Sequence, residues 1–118
     1  MKYSELLVWQ KAIDLVTTVY RLTKAFPADE KFGMTAQMQR AAVSIPANIA
    51  EGHGRKSTKA YLNHVSIANG SLMELETLLQ IAARLEYLDN KQLLEVLGRT
   101  SEIGTMLSGL TRSLNPQS

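Results

Sequence analysis

Three short breaks, near residues 26–28, 53–57 and 86–89, divide this chain into four stretches with helical periodicity. Connections this short force successive helices to turn back on their predecessors. No segment alternates apolar and polar residues with strand period for long, so the pattern predicts an all-α fold. The expected architecture is an antiparallel, up-down-up-down four-helix bundle, a single domain over residues 1–118.

The first helix is expected over about residues 4–25. Ser4 stands where an N-cap would, and Leu6, Trp9, Ile13, Val16 and Tyr20 recur on one side. Pro27 ends it, because proline disfavours the α conformation in the residue before it. The second is expected over about 29–53, with Asp29 and Glu30 at its positive end. Met34, Met38, Ala41, Ile45 and Ile49 form its apolar face, and Gly52 and Gly54 stop it. Ser57 caps a third helix over about 58–85, in which Gly70 is read as a point of close helix contact. Asp89, with Gln92 three residues on, opens a fourth over about 89–113 with a capping box. Residues 114–118 are read as a disordered tail.

The second helix carries the most particular segment, RAAVSIPANIAEGHGR at Arg40–Arg55. Pro46 lies inside it, removing one backbone donor and crowding the Ala42 carbonyl. The apolar pattern is in phase on both sides, which predicts one kinked helix. Two short helices broken near Ser44–Ile45 are the alternative. Arg40, Ser44 and Asn48 are four apart and stack on one face, a line that Glu51 and Arg55 extend. With Asn69, Ser71, Glu74 or Glu76 of the third helix these residues form a candidate polar network. Its expected role is to set helix register, and a ligand cleft is the competing reading.

Composition narrows the chemistry. Hydrophobic residues make up 45% and charged residues 20%, ordinary for a folded domain. There is no cysteine, which removes disulfides, thiolate ligands and a cysteine nucleophile. His53 and His64 are too far apart in sequence to form a helical ligand pair, and Glu74 and Glu76 cannot share a helix face. No metal and no cofactor is therefore expected, and no catalytic set is visible. No stretch approaches the roughly 20 apolar residues that span a bilayer. The N-terminal region lacks a secretory apolar core, so a cytoplasmic location is expected.

The net charge is only +2, but its distribution is uneven. No acidic residue lies between Glu51 and Glu74, whereas His53, Arg55, Lys56, Lys59 and His64 all do. His53, Arg55, Lys56 and Lys59 are the candidate contacts to nucleic-acid phosphates. A solvated helix end is the plainer reading. Tyr61, in phase with Leu62 and Val65, is expected to be buried rather than available for base stacking. Trp9 and the other aromatics are assigned to the core or to a subunit interface.

The segments VWQKAIDLV (Val8–Val16), QMQRAAVSIPANIAEGHGR (Gln37–Arg55), IANGSLMELET (Ile67–Thr77) and ARLEYLD (Ala83–Asp89) resemble the S23-type proteins encoded within intervening sequences of bacterial 23S rRNA genes. The chain departs from that pattern at Glu86, where a glycine is expected. The resemblance implies a small four-helix bundle that assembles as a homopentamer. It also implies kinship with the accessory protein of diversity-generating retroelements, which engages nucleic acid and a reverse transcriptase. The partners to expect are therefore the chain itself, rRNA or another nucleic acid, and a protein. A non-enzymatic oligomeric binding protein is the leading expectation, with a protein scaffold as the alternative.

Overall fold

The computed structural model describes residues 1–115. They form four α-helices: α1 (Leu7–Thr23), α2 (Met34–His53), α3 (Thr58–Arg84) and α4 (Asn90–Leu114). Single 3-10 turns precede α1 (Tyr3–Glu5) and α2 (Ala28–Glu30). Among the described residues there is no strand. Each helix packs on its two cyclic neighbours, α1 on α2 and α4, and α3 on α2 and α4. The result is an elongated four-helix bundle of 45 × 23 × 21 Å. Leu15, Met38, Ile45, Ile49, Leu75, Leu79, Ile103 and Leu107 fill its core. Truncating any one of these to alanine would cost about 2–5 kcal/mol.

Two helix starts differ from expectation. Ser4 does not cap α1, which begins at Leu7; its carbonyl accepts a hydrogen bond from the Gln10 side chain at 3.1 Å instead. The second helix starts at Met34 and not near residue 29. Gly33, at φ −104° and ψ −112°, breaks the helical path between the 3-10 turn and α2. Glu30 serves the helix from outside. Its Oε1 accepts from the Met34 amide at 3.2 Å, a capping role for a carboxylate near a positive helix end.

Pro46 sits buried inside α2, which runs unbroken from Met34 to His53, so the continuous helix is the form adopted. Gly52 does not stop α2. It lies buried in the last turn, and a Cβ there would stand 2.8 Å from the Cβ of His64 and 3.3 Å from the Tyr61 carbonyl oxygen. α2 and α3 approach here too closely for a Cβ on α2, and glycine allows it. Gly70 has no such role, since nothing lies within 4 Å of where its Cβ would be.

The remaining caps form as the residue pattern requires. Ser57 Oγ accepts from the Ala60 amide at 3.1 Å. Asp89 Oδ1 accepts from the Gln92 amide at 2.8 Å while Gln92 Oε1 accepts from the Asp89 amide at 2.9 Å. At the end of α3, the Tyr87 amide donates to the Ala82 carbonyl at 2.9 Å and the Glu86 amide to the Ala83 carbonyl at 3.0 Å. This is a Schellman closure, and it places Glu86 in the left-handed region at φ 65°. A glycine would take that conformation without strain. α4 continues through Leu114, one residue into the expected tail, and residues 116–118 of that tail lie outside the described residues.

Candidate nucleic-acid interface

A polar seam runs along the junction of α2 and α3. Ser71 Oγ donates to Ser44 Oγ at 2.8 Å. Asn48 Nδ2 donates to the Ser44 carbonyl at 2.9 Å and to Ser44 Oγ at 3.1 Å. That fixes the Asn48 amide, and its Oδ1 faces His64 Nδ1 at 3.0 Å. An amide oxygen only accepts, so His64 carries a proton on Nδ1. No buried side-chain nitrogen or oxygen among the described residues lacks a hydrogen-bond partner.

The seam leads to the end of the bundle where α2 meets α3. There His53 Nε2 contacts the Met1 carbonyl at 2.9 Å, and His53 Nδ1 contacts the Tyr61 hydroxyl at 3.0 Å. A carbonyl only accepts, so Nε2 carries a proton and donates it to the Met1 carbonyl. Burial raises the Tyr61 hydroxyl above its ordinary pKa, because a phenolate there would be poorly solvated. The two rings meet edge to face at 5.6 Å. His53 thus ties the N-terminal segment to the basic turn.

The antiparallel order brings the start of α1, the end of α2, the start of α3 and the end of α4 to this one end. Arg55, Lys56 and Lys59 are all exposed here. Lys2 and Arg112, distant in sequence, join them and are also exposed. None of the five forms an ion pair; the ion pairs among the described residues are Lys11–Glu102 at 3.2 Å and Arg99–Glu95 at 3.9 Å, both elsewhere. Among the described residues only Glu5 and Glu51 bring negative charge to this end. At the opposite end Lys24, Lys31, Arg84 and Lys91 are interspersed with Asp29, Glu30, Glu86 and Asp89. The bundle therefore concentrates its small positive excess at one pole.

The seam holds only part of the network expected. Of those residues Ser44, Asn48 and Ser71 belong to it. Arg40, Glu51 and Glu74 are exposed, Asn69 is half-buried, and none of the four makes a side-chain hydrogen bond or ion pair with the described residues. Helical phase explains this: Arg40, Glu51 and Glu74 fall on outward faces, while Ser71 and His64, seven apart on α3, turn towards α2. The carboxylate that does bridge helices is Glu76, whose Oε2 accepts from the buried Thr100 hydroxyl at 2.7 Å. Sequence reading included Ser71 and missed His64 as a member of the seam. Its common phase with Ser57 and Leu78 was the available signal. Lys2 and Arg112 were missed too, although the expected antiparallel order already puts the start of the first helix and the end of the fourth at the pole of the 53–57 turn.

No serine hydroxyl hydrogen-bonds a histidine nitrogen among the described residues. Nor do any three histidine or acidic side chains among them come together as a metal site. No helix among them is long and apolar enough to cross a membrane. What the geometry offers is a cationic, hydrogen-bond-donating pole on a rigid bundle.

Fold and pole together define a small all-α bundle with a cationic end. The family model described as 23S rRNA-intervening sequence protein matches residues 4–109. The chain belongs to that family. It is similar to the crystal structure of a protein of unknown function from the S23 ribosomal protein family of Bacteroides thetaiotaomicron VPI-5482, at 27% identity and a TM-score of 0.83. That alignment covers 90% of this chain and 99% of the other. No curated protein matches the chain.

Proposed function

We propose that the chain is a non-enzymatic, self-associating binding protein of the bacterial cytoplasm that holds RNA through its phosphates. The observation that carries this reading is the gathering of Lys2, Arg55, Lys56, Lys59 and Arg112 at one pole without carboxylate partners. Unpaired guanidinium and ammonium groups on a fixed frame suit phosphate oxygens. Such contacts position a nucleic acid and read no bases. The family's name links it to 23S rRNA, and the resemblance implies a homopentamer. Repeating one weak pole around a ring would raise avidity without new contacts.

The test is RNA binding by the purified chain across a salt series. Log affinity should fall linearly with log salt, by about 0.7 per phosphate neutralised on a single strand. The variant Arg55→Ala/Lys56→Ala/Lys59→Ala should bind more weakly at every salt concentration and with a shallower slope. An unchanged slope, or no binding at low salt, defeats the reading.

A second reading, a scaffold that docks another protein, has the net charge of only +2 in its favour. Capture of a protein partner that survives high salt, by a chain that ignores RNA, would establish it.

A further inference from the structure

We infer that copies of this chain associate by seating the outward ridge of α3 in the groove between α1 and α2 of the next copy, with Glu74 of the ridge paired to Arg40 of the groove. The inference rests on the self-association proposed above and assigns it a surface.

The ridge follows from helical spacing. Ile67, Glu74, Ile81 and Leu85 follow one another at seven, seven and four residues and share an exposed flank of α3 beside its seam with α2. Ile67, Ile81 and Leu85 are 45%, 42% and 49% exposed, high values for aliphatic side chains in mid-helix or at a helix end. Gly70 lies in the same line with open space around it. Glu74 is the one charge on this line.

The groove is complementary. Tyr20 of α1 and Ala36, Arg40 and Val43 of α2 line a concavity of about 500 Å³. Tyr20 and Val43 are each 43% exposed. Arg40 is its one charge, opposite in sign to that of the ridge. Neither the Arg40 nor the Glu74 side chain forms a hydrogen bond or an ion pair with any of the described residues.

Height along the bundle matches as well. Measured from the pole where α2 ends and α3 begins, Arg40 lies about 20 Å up and Glu74 about 24 Å up, at 1.5 Å rise per residue. Two bundles standing side by side in the same sense bring these groups level, within the reach of an arginine side chain. Apolar burial along the ridge would supply the attraction. The single charge pair would set the register, since a copy docked out of register would strand both charges. Ridge and groove are different surfaces of one chain, so the contact is heterologous and propagates into a ring when the rotation closes.

The test is mass in solution by light scattering, with helix content by circular dichroism as the check on folding. The wild-type chain should exceed 13.1 kDa, the mass of one copy. Arg40→Glu and Glu74→Arg should each lower the mass towards that of one copy with helicity unchanged, and Ile81→Lys should do the same. The combined Arg40→Glu/Glu74→Arg chain should reassemble. A wild-type assembly that survives both single reversals, or a double reversal that stays dissociated, overturns this interface while leaving self-association standing. A wild-type chain that is monomeric overturns both.

Discussion

Gly52 of α2 lies directly against His64 of α3: a Cβ on Gly52 would stand 2.8 Å from the His64 Cβ. Both atoms belong to stiff parts of their helices, so neither yields without moving backbone. The close approach lets the Ser44–Asn48–His64 seam and the His53–Tyr61 contact form at hydrogen-bond distance.

Gly52→Ala should therefore destabilise the fold although alanine is the better helix former. Overpacking of this kind costs about 1–3 kcal/mol. A urea melt should show a lower midpoint with an unchanged slope. A midpoint equal to or above wild type would mean that the two helices separate freely.

Glu86→Gly should act in the opposite direction. Glu86 holds φ 65°, a left-handed conformation that costs an ordinary residue about 1 kcal/mol or more. Glycine removes that strain but gains freedom in the unfolded chain, so a net stabilisation of about 0.5–1 kcal/mol is expected. Thermal unfolding should shift upward by a few degrees. A lower Tm would show that the Schellman closure depends on the Glu86 side chain.

Thr100→Val tests the bond between α3 and α4. It keeps the shape of a fully buried side chain and removes the donor 2.7 Å from Glu76 Oε2. Hydrogen bonds to charged groups contribute about 1.5–3 kcal/mol, and a half-exposed carboxylate recovers part of that from water. A loss of about 1–2 kcal/mol is expected from denaturant titration. Thr100→Ser, which restores the hydroxyl, should recover part of it.

Alkaline pH should weaken the fold through tyrosine. Burial raises the Tyr61 hydroxyl above its usual value near 10, and the hydrogen bond to Glu30 raises that of Tyr87. A raised pKa means that the unfolded chain loses these protons first. Their contribution is complete below pH 10 and declines as pH rises through the folded-state values. Urea midpoints followed from pH 8 to 11 should fall in wild type and fall less steeply in Tyr61→Phe. Parallel curves would show that Tyr61 is no better protected from ionisation in the folded chain.

The helices, their antiparallel order and most of their ends were legible in the residues because these depend on local chemistry. Apolar spacing, the Ser57 and Asp89 caps, and breaks too short for any other path act over one or two turns. The displaced start of α2 was less legible, since Asp29 and Glu30 are as favourable beside a helix as inside one and the Gly33 backbone decides between them. The partners of polar side chains were beyond local reading. Arg40, Glu51 and Glu74 carry the right spacing for a network, yet a rotation of one residue, about 100° around a helix, separates an inward seam from an outward face. Only the packing of α2 on α3 chose Ser44, Asn48, Ser71 and His64 from among the polar residues for the seam. Spacing along a chain specifies which residues share a face; which face meets which neighbour is settled when the helices close around a common core.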